Sequence, residues 1–285
     1  NRKGKKLRKE RGKQMLKLLV TDLDGTLLKI GNELSAGISD ENREALEAFV
    51  KAGGHVAIAS SRGPDAQTMI SGLLGVPVAA IGMNGFIVLD EEGEKISEHW
   101  MDFADFAELV EFIQKHQING SLITRGDDNG AYGYGGEETY PQRLTPGSPA
   151  IRQNWRLEFA DFAYRSGRCS KISLFVEPGQ HSEASRLLHA QFDGRFEIAA
   201  SDVDMLDVSP VGINKGSGIL ELAQALGLNK DEIAVVGDNE NDLSMFRVIP
   251  ASYCIDHAAP TIQAAASHSV ATVAQALALA REIKG

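Results

Sequence analysis

The sequence predicts an α/β fold, a parallel sheet flanked by helices and interrupted by an inserted α+β module. Three observations predict it. The chain has 285 residues, enough for a full core and for two domains. Apolar strand-like runs alternate with helical stretches over residues 15–86 and again from about 212, the pattern of right-handed βαβ units. Between them, over residues 87–200, strands and helices bunch in another order, as in an α+β module.

The elements follow in chain order. Met15 opens a first strand, and LKLLV at 16–20 leads straight towards Asp22 and Asp24. SAGISDENREALEAFVKAGG reads as a helix. Ser39 or Asp40 caps it, Ile38, Leu46, Phe49 and Val50 form its apolar side, and Gly53-Gly54 stops it. HVAIAS is a short apolar run, a buried strand. A second helix follows Pro64, and VPVAAIGMNGFIVLD supplies another strand with a turn at Asn84-Gly85.

In the inserted module, residues 104–117 read as a helix. SLITRGDDNGAYGYGG reads as two strand pieces around a polar turn, and 135–150, rich in Gly, Pro and Thr, as a loop. KISLFVEP is a strand, HSEASRLLHAQF a helix, and RFEIAAS and DMLDVSP two further strands. After 212, INKGSGILELAQALGLN is a helix closed by Gly227, and EIAVVGD is a strand ending in Asp238. NENDLSMF starts a short helix. ASYCID, PTIQAAAS and VATVAQALALAREI complete the set. The expected division is 1–14 outside the fold, 15–86 and 201–285 as two parts of one core, and 87–200 as the insertion.

Composition narrows the function classes. Hydrophobic residues make up 43% and charged residues 24%, the balance of a soluble globular protein. No apolar stretch approaches the ~20 residues that span a bilayer, and no apolar segment of a secretory signal follows the basic start, so no membrane partner is expected. Cys169 and Cys254 stand in no metal or redox spacing and read as buried thiols in a reducing cytoplasm. The net charge of −10 hides an asymmetry: residues 1–14 carry eight Lys/Arg and one Glu. That arm reads as disordered or non-native. The remaining body is strongly acidic, which argues against nucleic acid, since phosphate backbones attract positive surfaces. The seven histidines show no ligand spacing and read as structural or surface residues.

Ligands of open parallel sheets bind outside the carboxyl ends of the strands. Here those ends carry Asp22 and Asp24, then Ser60, Ser61 and Arg62, then Gly237-Asp238-Asn239-Glu240-Asn241-Asp242. Asn214-Lys215-Gly216 opens a helix nearby. Carboxylates without a neighbouring His or Cys ligand favour a hard cation with oxygen ligands, Mg²⁺ above all. Hydroxyls, helix N-terminal amides and a lysine hold phosphate. Together they point to phosphoryl transfer, where positioning and charge neutralisation dominate. Alternation by two places the Asp22 and Asp24 side chains on one side of the strand end.

These residues also carry a resemblance. Asp22-Leu23-Asp24-Gly25-Thr26 matches the DxDGT signature of the haloacid dehalogenase-like phosphatases. Gly237-Asp238-Asn239-Glu240-Asn241-Asp242 is similar to the GDxxND motif, in the GDxEND form of the Cof-like branch with a type IIB cap. Ala59-Ser60-Ser61-Arg62 resembles the second motif, Gly212-Ile213-Asn214-Lys215-Gly216 the lysine motif, and Asn84-Gly85 the Asn-Gly after the third core strand. Order and spacing agree over residues 15–283.

The resemblance implies a Rossmann-like core with an inserted type IIB cap, and a role for each position. Asp22 is the nucleophile that forms an aspartyl-phosphate. Asp24 protonates the leaving oxygen and then activates water. Asp238 holds Mg²⁺ with the Asp22 carboxylate and the Asp24 carbonyl. Ser60, Lys215 and Asn241 hold phosphate, with the amides of Leu23 and Ser61. Asp242 orients Lys215 or a metal-bound water, and Asn84 supports the site. Two positions depart from the pattern. Ser61 stands where the family has Gly, and Cys254-Ile255-Asp256-His257-Ala258-Ala259 stands where Cof-like proteins often read VAMGNA.

The expected activity is Mg²⁺-dependent hydrolysis of a small phosphorylated metabolite, a sugar phosphate first of all, with the module closing over the site. A phosphomutase of the same superfamily is the nearest rival. A non-catalytic phosphate-binding regulator is another, opposed by the intact pair Asp22 and Asp24. A nucleotide-binding oxidoreductase is opposed by DLDGTLL where a glycine fingerprint belongs.

Overall fold

The computed structural model describes residues 15–28, 37–118, 120–125, 131–135, 168–177, 179–202 and 204–284. The arm at 1–14 and the loop expected over 135–150, apart from its first residue, which ends a strand, lie outside the described residues. The first part of the body contains β1 (Leu18–Thr21), α1 (Asp40–Lys51), β2 (His55–Ala59), α2 (Asp65–Leu74), β3 (Ala79–Gly82), β4 (Ile87–Leu89) and β5 (Lys95–Glu98). Ser39 caps α1 by accepting from Asn42 N at 3.3 Å.

The cap follows with β6 (Met101–Asp102), α3 (Phe103–Lys115), β7 (Gly120–Arg125) and β8 (Ala131–Gly135). It continues through β9 (Arg168–Cys169), β10 (Ile172–Val176), α4 (His181–Phe192), β11 (Phe196–Asp202) and β12 (Met205–Pro210). The body resumes with α5 (Lys215–Ala225), β13 (Ile233–Gly237), α6 (Leu243–Val248), β14 (Ser252–Ile255), α7 (Pro260–Gln263), β15 (His268–Val270) and α8 (Val273–Lys284).

The body is an eight-stranded sheet in the order β15-β14-β13-β1-β2-β3-β4-β5. The first six strands are mutually parallel, and β4 and β5 add an antiparallel edge. Both faces of the sheet are covered, so alternate residues of one strand serve two cores. Leu19, Ile58 and Val236 pack on the side of α1 and α8. Leu18, Val20 and Val235 pack on the other side, against Ile219 of α5 and Met245 of α6. The cap is a second sheet, β11-β12-β10-β7-β8, antiparallel throughout. Its core joins Phe106 and Leu109 of α3 and Leu188 and Phe192 of α4 to Leu122, Leu174 and Leu206 of the sheet.

Both seams lie later than the expected 86/87 and 200/201. Strands β4 and β5 belong to the body sheet, and β11 and β12 pair with each other in the cap sheet. The edge hairpin misleads because it is antiparallel and so breaks the βαβ rhythm without leaving the sheet. At the far seam, Ile198, Leu206 and Val208 are cap core. No helix among the described residues is long and apolar enough to cross a membrane.

Candidate active site

The central strand β1 lies between β13 and β2, so its carboxyl end faces theirs. Asp22 N still donates to Val236 O at 2.9 Å, and the chain then folds back, with Leu28 N donating to Leu23 O at 2.8 Å. Leu23 itself is fully buried. Gly25 makes this turn with φ at +91°, and a Cβ there would lie 2.5 Å from Asp238 Oδ2. Only glycine allows both the positive φ and that approach. Thr26 then donates its hydroxyl to Asp238 Oδ1.

Lys215 enters from the first turn of α5, which Asn214 caps by accepting from Ser217 N at 3.0 Å. Its ammonium, completely buried, donates to Asp22 Oδ1 and to Asp242 Oδ1, each at 2.6 Å. The second oxygen of Asp242 accepts from Asp238 N at 2.8 Å and Asn239 N at 3.0 Å. Gly237 leaves room for this, since a Cβ there would meet Asp242 Cγ at 2.5 Å. Asp22, Asp238 and Asp242 can present oxygens within 4.8 Å of one another.

Asp22 and Asp24 differ in their surroundings. The strand stops at Thr21, and both acids lie in the turn that follows it. Asp22 is buried against Lys215. Asp24 is half exposed and held by both guanidinium arms of Arg62, with Nε to Oδ2 at 2.7 Å and Nη2 to Oδ1 at 2.6 Å. The two acids therefore hydrogen-bond to different cations.

Ser60 ends β2 and is buried. Its hydroxyl accepts from Arg62 N at 3.1 Å, and its carbonyl accepts from Asn84 N at 2.9 Å. Ser61 is half-buried in the following bend. Asn241 is buried and donates to Asn84 Oδ1 at 3.2 Å. Asn84 has a left-handed φ of +56° in the turn after β3, and its amide nitrogen donates to the cap, to Asp207 Oδ2 at 2.7 Å and Ser201 Oγ at 3.2 Å.

The electrostatics are lopsided. Burial pushes the Asp22 carboxyl well above its ordinary range; Lys215 opposes this, and Asp242 and Asp238 add to it. Burial also raises Asp238, opposed by the Thr26 hydroxyl. Burial alone would lower the Lys215 ammonium, but the Asp22 and Asp242 carboxylates outweigh it and hold it above its usual value. Two buried carboxylates thus share one buried ammonium, with the partly buried Asp238 beside them. An all-oxygen donor set with excess negative charge fits a hard divalent cation. Both oxygens of Asp242 are already occupied by N–H donors. Asp22 Oδ2 and the Asp238 carboxylate are better placed as ligands.

Three contributors were missed at the level of sequence. Arg62 pairs with Asp24; its place beside Ser60 and Ser61 at a strand end was the available signal. Thr26 holds Asp238, and lies within the DxDGT motif. His257 stands 3.5 Å from Asp238 Oδ2. It lies just past the end of β14, the strand next to the one that ends at Asp238, so sheet order was its signal.

A fold of this kind is shared with known proteins. The family model of haloacid dehalogenase-like hydrolases matches residues 19–283, and the chain belongs to that family. Curated relatives that match along most of its length are named phosphatases, and its fold is like that of subclass IIB members of the family. An HMP-PP phosphatase from Escherichia fergusonii is 28% identical over 262 residues, 89% of this chain and 89% of that protein. A subclass IIB sugar phosphatase superposes with a TM-score of 0.73 at 21% identity, covering 92% of this chain and 98% of that one. A phosphatase of the superfamily from Bacteroides thetaiotaomicron gives 0.73 at 20% identity, with 96% of each chain covered.

Proposed function

We propose that the protein is a Mg²⁺-dependent phosphatase that hydrolyses a small phosphorylated metabolite, a sugar phosphate first of all, through an aspartyl-phosphate on Asp22. The observation that carries this is Lys215 buried between Asp22 and Asp242, with Asp238 alongside. An HMP-PP phosphatase and a sugar phosphatase among the relatives support a small phosphorylated substrate. The two buried thiols support a reducing compartment, which we take to be the cytoplasm.

Asp22 and Asp238, with the Asp24 carbonyl, would hold Mg²⁺. When bound, the ion would neutralise phosphate charge and screen the acids from one another. Lys215, Asn241, Ser60 and the amides of Leu23 and Ser61 would hold the phosphoryl oxygens. A free Asp22 oxygen attacks phosphorus, the ester P–O bond breaks, and the leaving oxygen takes a proton from Asp24. Water then attacks phosphorus and gives its proton to Asp24, which frees Asp22 and inorganic phosphate. Acid–base work requires the Asp24–Arg62 pair to open, since both carboxylate oxygens are occupied in it. Asp242 holds Lys215 in place. Release of phosphate from a generic aryl phosphate, with and without Mg²⁺, tests the reading. Turnover should need the ion and disappear in Asp22→Asn; undiminished turnover in that variant would sink the mechanism.

A further inference from the structure

One buried carboxylate of the cap reaches the candidate active site. Asp207, on β12, is 2% exposed and accepts four hydrogen-bonding or ionic contacts. Ser173 Oγ donates to Oδ1 at 2.6 Å. Lys171 Nζ at 2.5 Å, Asn84 Nδ2 at 2.7 Å and the Ser201 hydroxyl all converge on Oδ2. Lys171, Ser173 and Ser201 belong to the cap, whereas Asn84 belongs to the body.

This arrangement dictates polarity. A carboxylate only accepts, so the amide atom that Asn84 turns to Asp207 must be Nδ2. Both of its protons are then committed, to Asp207 and to Ser201. Its Oδ1 is thereby turned to Asn241, which must answer with Nδ2, at 3.2 Å. Asn241 Oδ1 is left pointing the other way, buried and without a partner among the described residues. An orphaned buried acceptor costs stability unless something supplies a donor. One Nδ2 proton of Asn241 is left uncommitted as well.

We propose that Asp207 and Asn84 are positioning residues: the cap carboxylate fixes the orientation of Asn84, and Asn84 fixes the orientation in which Asn241 meets the phosphoryl group. This rests on Asn241 as a phosphate holder. It also gives Asn84 a different place from direct ligand contact, because every polar atom of its side chain is already engaged. The backbone agrees with a dedicated role. Asn84 holds φ at +56° and Met83 at +52°, conformations few non-glycine residues adopt.

The test measures inhibition by inorganic phosphate of Mg²⁺-dependent aryl phosphate hydrolysis, together with phosphate binding by calorimetry. Asn84→Gly removes the amide without straining the left-handed backbone. The double variant Lys171→Met/Asp207→Asn removes the polarity signal without leaving an unpaired buried charge. Circular dichroism and Mg²⁺ affinity report whether each is folded with an intact metal site. Each should weaken inorganic phosphate about tenfold, the loss expected when a bond to a charged group is disordered. KM should rise, and Mg²⁺ affinity should stay at the wild-type value. In an Asn241→Ala background, Asn84→Gly should cost nothing further, because both act through one amide. Unchanged phosphate affinity in the folded variants, or losses that multiply in the Asn84→Gly/Asn241→Ala double, would overturn the proposal alone. A wild type that binds no phosphate with Mg²⁺ present would overturn the functional reading, and the positioning role with it.

Discussion

Two buried lysines, one in the body and one in the cap, solve the same problem in opposite ways. Lys215 is fully buried and donates to two carboxylates, with a third nearby. Lys171 is 4% exposed and faces one carboxylate, Asp207, which three neutral donors also serve. Around Lys215 the acids win, and the ammonium is held above its ordinary value. Around Lys171 burial wins over Asp207, the Lys215 charge adds to it, and the ammonium is lowered. In the cap cluster one ammonium faces one carboxylate, and both oxygens of that carboxylate accept hydrogen bonds. The body cluster has more negative charge than its lysine neutralises. That excess fits the further cation proposed for it.

The sharpest break of this comparison is at Asp22. Asp22→Asn should reduce turnover of an aryl phosphate by more than about 10³-fold, since the proposed nucleophile is gone. The metal-free variant should melt no lower than wild type, because burial disfavours the charge it removes. A collapse of the fold in that variant would count against the charge-excess view. Next comes Lys215→Met, which strands two buried acids and should cost about 3–5 kcal/mol in urea denaturation. Lys171→Met strands one acid that keeps its neutral donors, and should cost less, about 1–3 kcal/mol. Equal losses would erase the distinction between the clusters.

The alkaline limb sharpens it further. Lys171 is lowered, so between its folded value and about 10.5 the unfolded chain binds more protons, and stability rises with pH there. Lys215 is raised, so its contribution is complete below about 10.5 and is lost as pH climbs through its folded value. Urea midpoints measured across that range should lose the rising component in Lys171→Met and keep it in Lys215→Met. The smallest effect lies outside both clusters. Backbone capping by Asn229 and the Lys17 ion pair lower Glu232 to about 2. Its contribution is present above about 4.5 and fades as pH falls towards 2. Glu232→Gln should cost about 1 kcal/mol at pH 7 and nothing at pH 2.

Much of this was legible in the sequence because the acids sit in short, contiguous motifs at strand ends. DLDGT, GDNEND and the lysine after Asn214 each fall within a few residues of a predicted boundary. The parallel sheet then brings adjacent strand ends together whatever lies between them. What escaped depended on pairings across long stretches of chain. Arg62 meets Asp24 from 38 residues away, and Asn84 meets Asp207 across 123. The second pairing needs the register of a cap sheet that no local pattern reveals. His257 escaped because a lone histidine has no spacing to read. The seams escaped because an antiparallel hairpin extends a parallel sheet at its edge.

The claim that the body cluster is built for a cation is tested most directly by titrating Mg²⁺ into metal-free protein by calorimetry. The wild type should bind one ion, Asp238→Asn should lose that binding, and Lys171→Met should keep it. A wild type that binds no Mg²⁺, or an Asp238→Asn protein that binds it as tightly as wild type, would contradict the account.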